Sequence, residues 1–271
     1  MILTIEASGA YDLPADTPLL LMVEPPLTGP RHRVTDERLH TTPTPFSELW
    51  TDSYGNPQRR LLAPKGFFTF DFRAAVEAEP NRPVPEDAVE HRPLDLPADL
   101  LIYTLPSRYC QSDLLARMAF DEFGQVPPGG ERVRAISDWV RRHVEYRYGT
   151  TDSMTSAYDT VTQRVGVCRD FAHLVIAFCR ALGSPARYVS GYALGLEPPD
   201  FHGFAQVFLG GGWHNVDATF AGVRPALVPI ATGRDAADVA MMTLWGAGTL
   251  REQSVSVRDE EGGGEKDAAA A

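Results

Sequence analysis

The stretch Gly166–Tyr192, "GVCRDFAHLVIAFCRALGSPARYVSGY", decides how the rest of the chain is read. Phe171, Leu174, Val175, Phe178, Cys179 and Leu182 recur at alternating steps of three and one, which lines one face of a 3.6-residue helix. Gly183 and Pro185 stop that helix, and "ARYVSGY" then reads as a strand. Counting three back from Phe171 puts Cys168 on the same stripe, in the first turn. Cys179 falls mid-helix and reads as packing, the usual fate of a free cysteine.

The place of Cys168 suggests more than packing. An ordinary thiol, with a pKa of about 8.5, is mostly protonated at neutral pH, whereas the thiolate is the reactive form. A helix N-terminus and a nearby imidazolium both favour the thiolate. Position supplies the first of these, so the chemistry asks for a histidine brought close by the fold and oriented by a carboxylate.

Downstream, "HGFAQVFL" (His202–Leu209) and "WHNVDAT" (Trp213–Thr219) flank Gly210, Gly211 and Gly212 and read as a hairpin. Strand alternation puts His202 on one face with Phe204, Gln206 and Phe208, and Asp217 with Trp213, Asn215 and Thr219; His214 points the other way. If Leu209 faces Gly212 and Phe208 faces Trp213, Asp217 falls opposite Phe204 and diagonal to His202, within reach of a side-chain hydrogen bond. A loop of odd length would separate the two, and three glycines permit either register. His173 is the rival base; five residues after Cys168 on a helix leaves it about 140° around the axis, which suits a bond to a neighbouring loop or backbone. Arg169 and Asp170 read as an ion pair or as helix-start contacts.

These strings, in this order, resemble the core of the bacterial transglutaminase-like superfamily. "GVCRDFAHL", "ARYVSGY" and "HGFAQVFLGGGWHNVDAT" carry the likeness. "YGTT" at Tyr148–Thr151, "GRDAADVA" at Gly233–Ala240 and "DSYGNP" at Asp52–Pro57 extend it over most of the chain. The resemblance implies a papain-type triad with Cys168 as nucleophile, His202 as base and Asp217 as orienting carboxylate. It also implies an aromatic side chain near the oxyanion, for which Tyr146 and Tyr148 are candidates, beside backbone N–H groups at the helix start. Gln206 is a further candidate for the cleft wall, with a core-edge position as the alternative. Gly203 stands where the family often has alanine, and "DAT" replaces the commoner "DPT".

The expected fold class is α+β: an N-terminal antiparallel β domain, then a transglutaminase-like, papain-like core with a central helix on an antiparallel sheet. Residues 1–105 form the first unit, a sandwich-like one, because "ILTIEA", "PLLLMVEP", "HRVTDERLHTT", "RRLLAP" and "GFFTFDFRAAVEAE" are β-type runs punctuated by turns such as "SYGNP". The proline-rich "PVPEDAVEHRPLDLPADL" reads as an extended connector. Residues 106–258 form the catalytic unit, with helices from Ser112 to Gly124 and after "PPGGE". "VEYRYGTTDSMTSAYDTVTQRVG" reads as a loop with one helical turn, "PALVPIATGRDAADVA" as irregular, and "TLWGAGTL" and "REQSVSVRD" as a closing strand pair. Residues 259–271 form a disordered tail.

Composition narrows the function. With 36 acidic against 25 basic residues and a net charge of −11, the chain has no nucleic-acid-binding surface to offer and reads as a self-repelling monomer or small oligomer. The apolar run Leu19–Val23 is too short to span a bilayer or serve as a signal sequence, so no membrane association and a cytoplasmic location are expected. The three cysteines have no paired spacing, so neither a disulfide framework nor a zinc site is expected. No metal and no cofactor are expected, and no calcium loop is recognisable. The favoured function is a thiol enzyme that cleaves an amide of a peptide, protein or glutamine side chain through a thioester, resolved by water or by a primary amine as acyl acceptor. Two alternatives stand beside it. An arylamine N-acetyltransferase would carry its nucleophile early, after a helical bundle, whereas Cys168 follows a long β region. A catalytically idle binding module of the same fold would show an ordinary thiol pKa.

Overall fold

The computed structural model describes residues 1–260. Its centre is the helix of the opening stretch, and the elements around it arrive in the following order. The chain begins with β1 (Ile2–Leu13), β2 (Thr17–Leu21), β3 (Thr28–Gly29), β4 (His32–Thr42), β5 (Ser47–Thr51), β6 (Pro57–Ala63) and β7 (Gly66–Ala78). After a connector with two 3-10 turns come α1 (Ser112–Phe123), α2 (Gly130–His143), β8 (Glu145–Tyr146), α3 (Ala157–Gln163), β9 (Val165–Gly166) and α4 (Cys168–Ala181). The chain then runs through β10 (Ala186–Ala193), β11 (His202–Leu209), β12 (Gly212–Val216), β13 (Leu227–Gly233), β14 (Met242–Leu244) and β15 (Thr249–Asp259).

The helix α4 is buried on every side from Asp170 to Arg180, not along one stripe as the periodicity predicts. The sheet takes one face, and α1, α2 and α3 take the others. Each fully buried Phe, Leu, Val or Ile contributes about 1.5–3 kcal/mol relative to exposure. The polar residues of this buried span need partners, and Arg180 and His173 Nε2 find them, while His173 Nδ1 stays without a hydrogen bond. Arg180 does so without a carboxylate: it donates to the carbonyls of Ala186 (2.9 Å), Leu105 (3.1 Å) and Arg234 (2.6 Å) and to Ser107 Oγ (2.9 Å). His173 accepts from the Ala236 amide at 3.1 Å and stacks on Tyr109, which anchors the "GRDAADVA" segment to the helix. Burial lowers the His173 imidazole well below its ordinary pKa, aided by Arg169 and Arg180.

The sheet against α4 is antiparallel in the order β12-β11-β10-β13. Its hairpin takes the register that joins His202 to Asp217, with Leu209 opposite Gly212 and Phe208 opposite Trp213. The strand β13 lies in a segment expected to be irregular. Pro229 hides it in the sequence; the fold tolerates this proline because β13 is an edge strand and its ladder shifts register between Ala231 and Pro229.

The N-terminal unit is a sandwich of two antiparallel sheets, β15-β1-β7-β4-β3 and β14-β2-β6-β5. Alternation sends Leu3, Ile5, Phe68, Phe70 and Phe72 inward. The runs expected as strands are present; β5, from "SELWT", carries little apolar signal and its residues are largely exposed. The last two strands do not pair with each other as expected. Gly246 and Gly248 separate them, β14 joins β2, and β15 covers the edge of β1 over its full length, protecting an otherwise open ladder. Residues 242–258, counted with the catalytic unit on sequence, thus pair with strands of the first. Of the tail expected from residue 259, residues 261–271 lie outside the described residues, while Asp259 still closes β15 and the Glu260 amide donates to the Ile2 carbonyl at 2.9 Å.

Sandwich and core share one continuous hydrophobic cluster. The "DSYGNP" turn adds a polar clamp: Asn56 donates to the Thr232 carbonyl and accepts from the Thr232 amide, both at 2.8 Å. Tyr192 Oη donates to the Val23 carbonyl at 2.8 Å. No helix among the described residues is long and apolar enough to cross a membrane.

Candidate active site

Cys168 is the first residue of α4, preceded by Val167 in extended conformation. Asp170 fixes this helix start: its Oδ2 accepts from the Val167 amide at 2.9 Å and from Thr151 Oγ1 at 2.8 Å. Gly166 lets the carboxylate approach, since a Cβ there would lie 2.7 Å from the Asp170 Cβ. The Cys168 thiol is partly exposed in a cleft of about 520 Å³. Cys110 and Cys179 are fully buried; burial pushes the Cys110 thiol up to about 12 and raises that of Cys179 further, so neither supplies thiolate.

His202 opens β11 and is 2% exposed. Its Nε2–H donates to Asp217 Oδ2 at 2.8 Å, and its Nδ1 is buried without any other hydrogen-bond partner. Burial alone would lower this imidazole, but the bond to Asp217 and the adjacent Cys168 thiol outweigh it and raise the pKa to about 9. One ring nitrogen thus faces a carboxylate while the other remains for the thiol.

Asp217 has every lone pair directed. Oδ1 accepts from the Thr219 amide (3.0 Å) and Thr219 Oγ1 (2.6 Å), and Oδ2 accepts from both His202 and Arg224 Nε, the latter at 2.7 Å. Burial would raise the carboxyl, yet His202 and Arg224 hold it well below the usual carboxylate range. Arg224 is itself buried, donates from Nη1 to the Gly195 carbonyl at 3.1 Å and lies over the Phe220 ring at 4.5 Å. Sequence reasoning missed this arginine, because "FAGVRP" has no periodicity and a lone Arg there carries no motif.

The two tyrosines expected beside the oxyanion line the same cleft. Tyr146 Oη donates to Tyr148 Oη at 3.4 Å and lies against the Cys168 backbone; burial and the nearby thiol push its pKa well up, so the phenol keeps its proton. Tyr188, which the sequence did not single out, also borders the thiol. A Cβ on residue 203 would come within 2.1 Å of the Tyr188 hydroxyl, which explains Gly203 at this position.

Gln206 does not line the cleft. It accepts from Arg187 Nε and donates to Asn215 Oδ1, both at 2.8 Å, so it stitches strands at the far end of the hairpin. His214 bonds the Leu209 carbonyl. Among the described residues, no group of three or more His, Cys, Asp or Glu side chains is arranged to hold a metal ion.

Comparison with known proteins follows the same outline. A family model for the transglutaminase-like superfamily matches residues 118–218. Over 99% of this chain and 92% of the other, the fold superposes with a TM-score of 0.90 and 38% sequence identity on a crystal structure named "Putative Cysteine Protease from Cytophaga hutchinsonii". Uncharacterized proteins of Mycobacterium leprae (34% identical over 119 residues, 40% of this chain) and Mycobacterium tuberculosis (31% over 188 residues, 64% of this chain) are also similar. The matches span 42% and 59% of those two proteins, about half their length.

Proposed function

The chain belongs to the transglutaminase-like superfamily, and on that premise we propose that it is a thiol enzyme acting on amide bonds through Cys168, His202 and Asp217. The observation that carries the reading is the 2.8 Å bond from His202 to Asp217, with the other imidazole nitrogen unpaired and buried beside a cysteine at a helix start. Nucleophile, base and orienting group have the relation that covalent acyl chemistry needs.

In this mechanism the Cys168 thiol gives its proton to His202 Nδ1, and the thiolate attacks the carbonyl carbon of an amide in a peptide or protein substrate. Negative charge develops on the carbonyl oxygen, for which the Cys168 backbone N–H and the Tyr146 hydroxyl are the donors. Collapse breaks the C–N bond, the leaving amine takes the proton from the imidazolium, and a thioester remains on Cys168. Water or a primary amine then attacks, losing its proton to His202, and the acyl group leaves as acid or new amide. The raised basicity of His202 favours the imidazolium while the thiolate forms. The Asp217 carboxylate, bonded on both oxygens, fixes the imidazole plane, and Arg224 acts through it as a positioning residue.

The test is replacement of the nucleophile. Cys168→Ala is expected to abolish both turnover of an amide substrate and alkylation of native protein by iodoacetamide. Full-rate labelling or turnover in that variant would refute the assignment.

A further inference from the structure

One carboxylate in the cleft stands without a cation. Asp200, two residues before His202, lines the cavity that holds Cys168. Its Oδ1 is fixed by two donors, the Phe201 amide and Gln253 Nε2, each at 2.8 Å; Gln253 reaches in from β15 of the sandwich. Its Oδ2 has no hydrogen-bond or ion-pair partner among the described residues. Three other carboxylates are neutralised from within, Glu24 by Arg59, Asp217 by Arg224 and Asp238 by Arg234, and buried Asp235 has both oxygens bonded by the Tyr109 and Ala237 amides. Arg169, the cation on the cleft wall, is turned away to Thr151, the Asp152 carbonyl and Asp170. A second group wants a partner as well: Ser190 lines the same cavity, and its Oγ is buried with no hydrogen bond.

A rigidly held carboxylate with a free oxygen and an unsatisfied hydroxyl lining one cleft make a site for a donor that carries positive charge. We propose that Asp200 and Ser190 form a subsite for a basic side chain, lysine or arginine, of the peptide whose amide is presented to Cys168. The aromatic rings of Phe201 and Tyr148, which line the same cleft, suit the methylene stem and cation of such a side chain. The basic group is a recognition element and not the attacking acceptor: a carboxylate stabilises the protonated amine, which has no lone pair to attack with. The inference rests on Cys168 being the nucleophile.

The experiment reads Cys168 itself, with methanethiosulfonate probes of different charge. The thiolate attacks the probe's sulfenyl sulfur, a mixed disulfide forms and methanesulfinate leaves; Cys110 and Cys179 are fully buried and do not compete in the native protein. Rates are measured for the neutral methyl, the cationic trimethylammonium-ethyl and aminoethyl, and the anionic sulfonatoethyl reagents. In Asp200→Asn, which keeps Oδ1 and the side-chain shape, the ratio of cationic to neutral rates is expected to fall about fivefold, as for a partly exposed ion pair, and the anionic ratio to rise. Ser190→Ala is expected to slow the aminoethyl probe relative to the trimethylammonium probe, which has no N–H to donate. Unchanged charge ratios in folded Asp200→Asn overturn the subsite alone. A wild-type Cys168 that does not react with the neutral probe overturns the nucleophile reading and the subsite with it.

Discussion

Replacing Arg224 separates what holds Asp217 from what merely surrounds it. The pair is 2.7 Å apart, with side chains 3% and 5% exposed, so removing the guanidinium strands a buried carboxylate. Breaking such a pair costs about 3–5 kcal/mol in general. His202 and the two bonds from Thr219 remain, which puts Arg224→Ala at the lower end, about 3 kcal/mol, or a Tm lower by roughly 10 °C for a chain of this size. The catalytic effect follows from the same geometry. With Oδ2 no longer pinned from behind, the imidazole plane loosens, and acylation of Cys168 is expected to slow by about tenfold to a hundredfold, the range for small misplacements of a catalytic group. Losing a positive neighbour also raises the Asp217 pKa, so the acid limb of the pH–rate profile moves to higher pH. Arg224→Lys keeps the charge but not the second arm to Gly195, and should restore the acid limb while recovering only part of the rate. The assays are thermal unfolding and the pH dependence of acylation, run on all three proteins. A folded Arg224→Ala with the wild-type acid limb and rate would refute the reasoning and leave Thr219 and His202 as sufficient supports.

Three further outcomes follow from the same structure. Gly203→Ala drives a methyl to 2.1 Å from the Tyr188 hydroxyl, so denaturant unfolding should show a loss of about 1–3 kcal/mol, the cost of overpacking, partly recovered by adding Tyr188→Phe; a neutral result would mean that Tyr188 moves freely. Asn56→Ala orphans both backbone groups of Thr232 and is expected to lower stability by about 1–3 kcal/mol per buried group, measured in the same way, with no change in Cys168 labelling. The folded pKa of His202 is raised to about 9, above its unfolded value near 6.5, so the stability it contributes is fully present below about pH 6.5 and is lost as pH rises through 9. Wild type should therefore lose more stability than His202→Gln between pH 6 and 9.5, and turnover, which needs the imidazolium to protonate the leaving amine, should fall over the same window.

Local patterns carried the legible part. The 3.6-residue stripe in Gly166–Tyr192 gave α4 and the start of β10, and strand alternation put Asp217 within reach of His202 in one of the two registers the glycine loop permits; the fold takes that one. The hidden part depends on distant partners. That α4 is covered on all sides follows from three helices packing where the pattern left polar residues, and Arg180 is tolerated there only because carbonyls from three segments converge on it. β15 alternates like any half-buried strand, and nothing in it specifies the edge of β1 as its mate. Arg224 and Asp200 act through tertiary placement, one behind Asp217 and the other facing Gln253 from the sandwich. Gln206 shares a strand face with His202, yet Arg187 and Asn215 claim it, so sharing a face did not amount to sharing a site.

The most direct test of the central claim is mass spectrometry of the acyl-enzyme, trapped by acid quench during reaction with a peptide library. The account predicts a hydroxylamine-sensitive acyl adduct on the peptide containing Cys168, absent in Cys168→Ala and formed far more slowly in His202→Ala. Amide turnover with no adduct on Cys168, or an adduct on Cys110 or Cys179 instead, would contradict it.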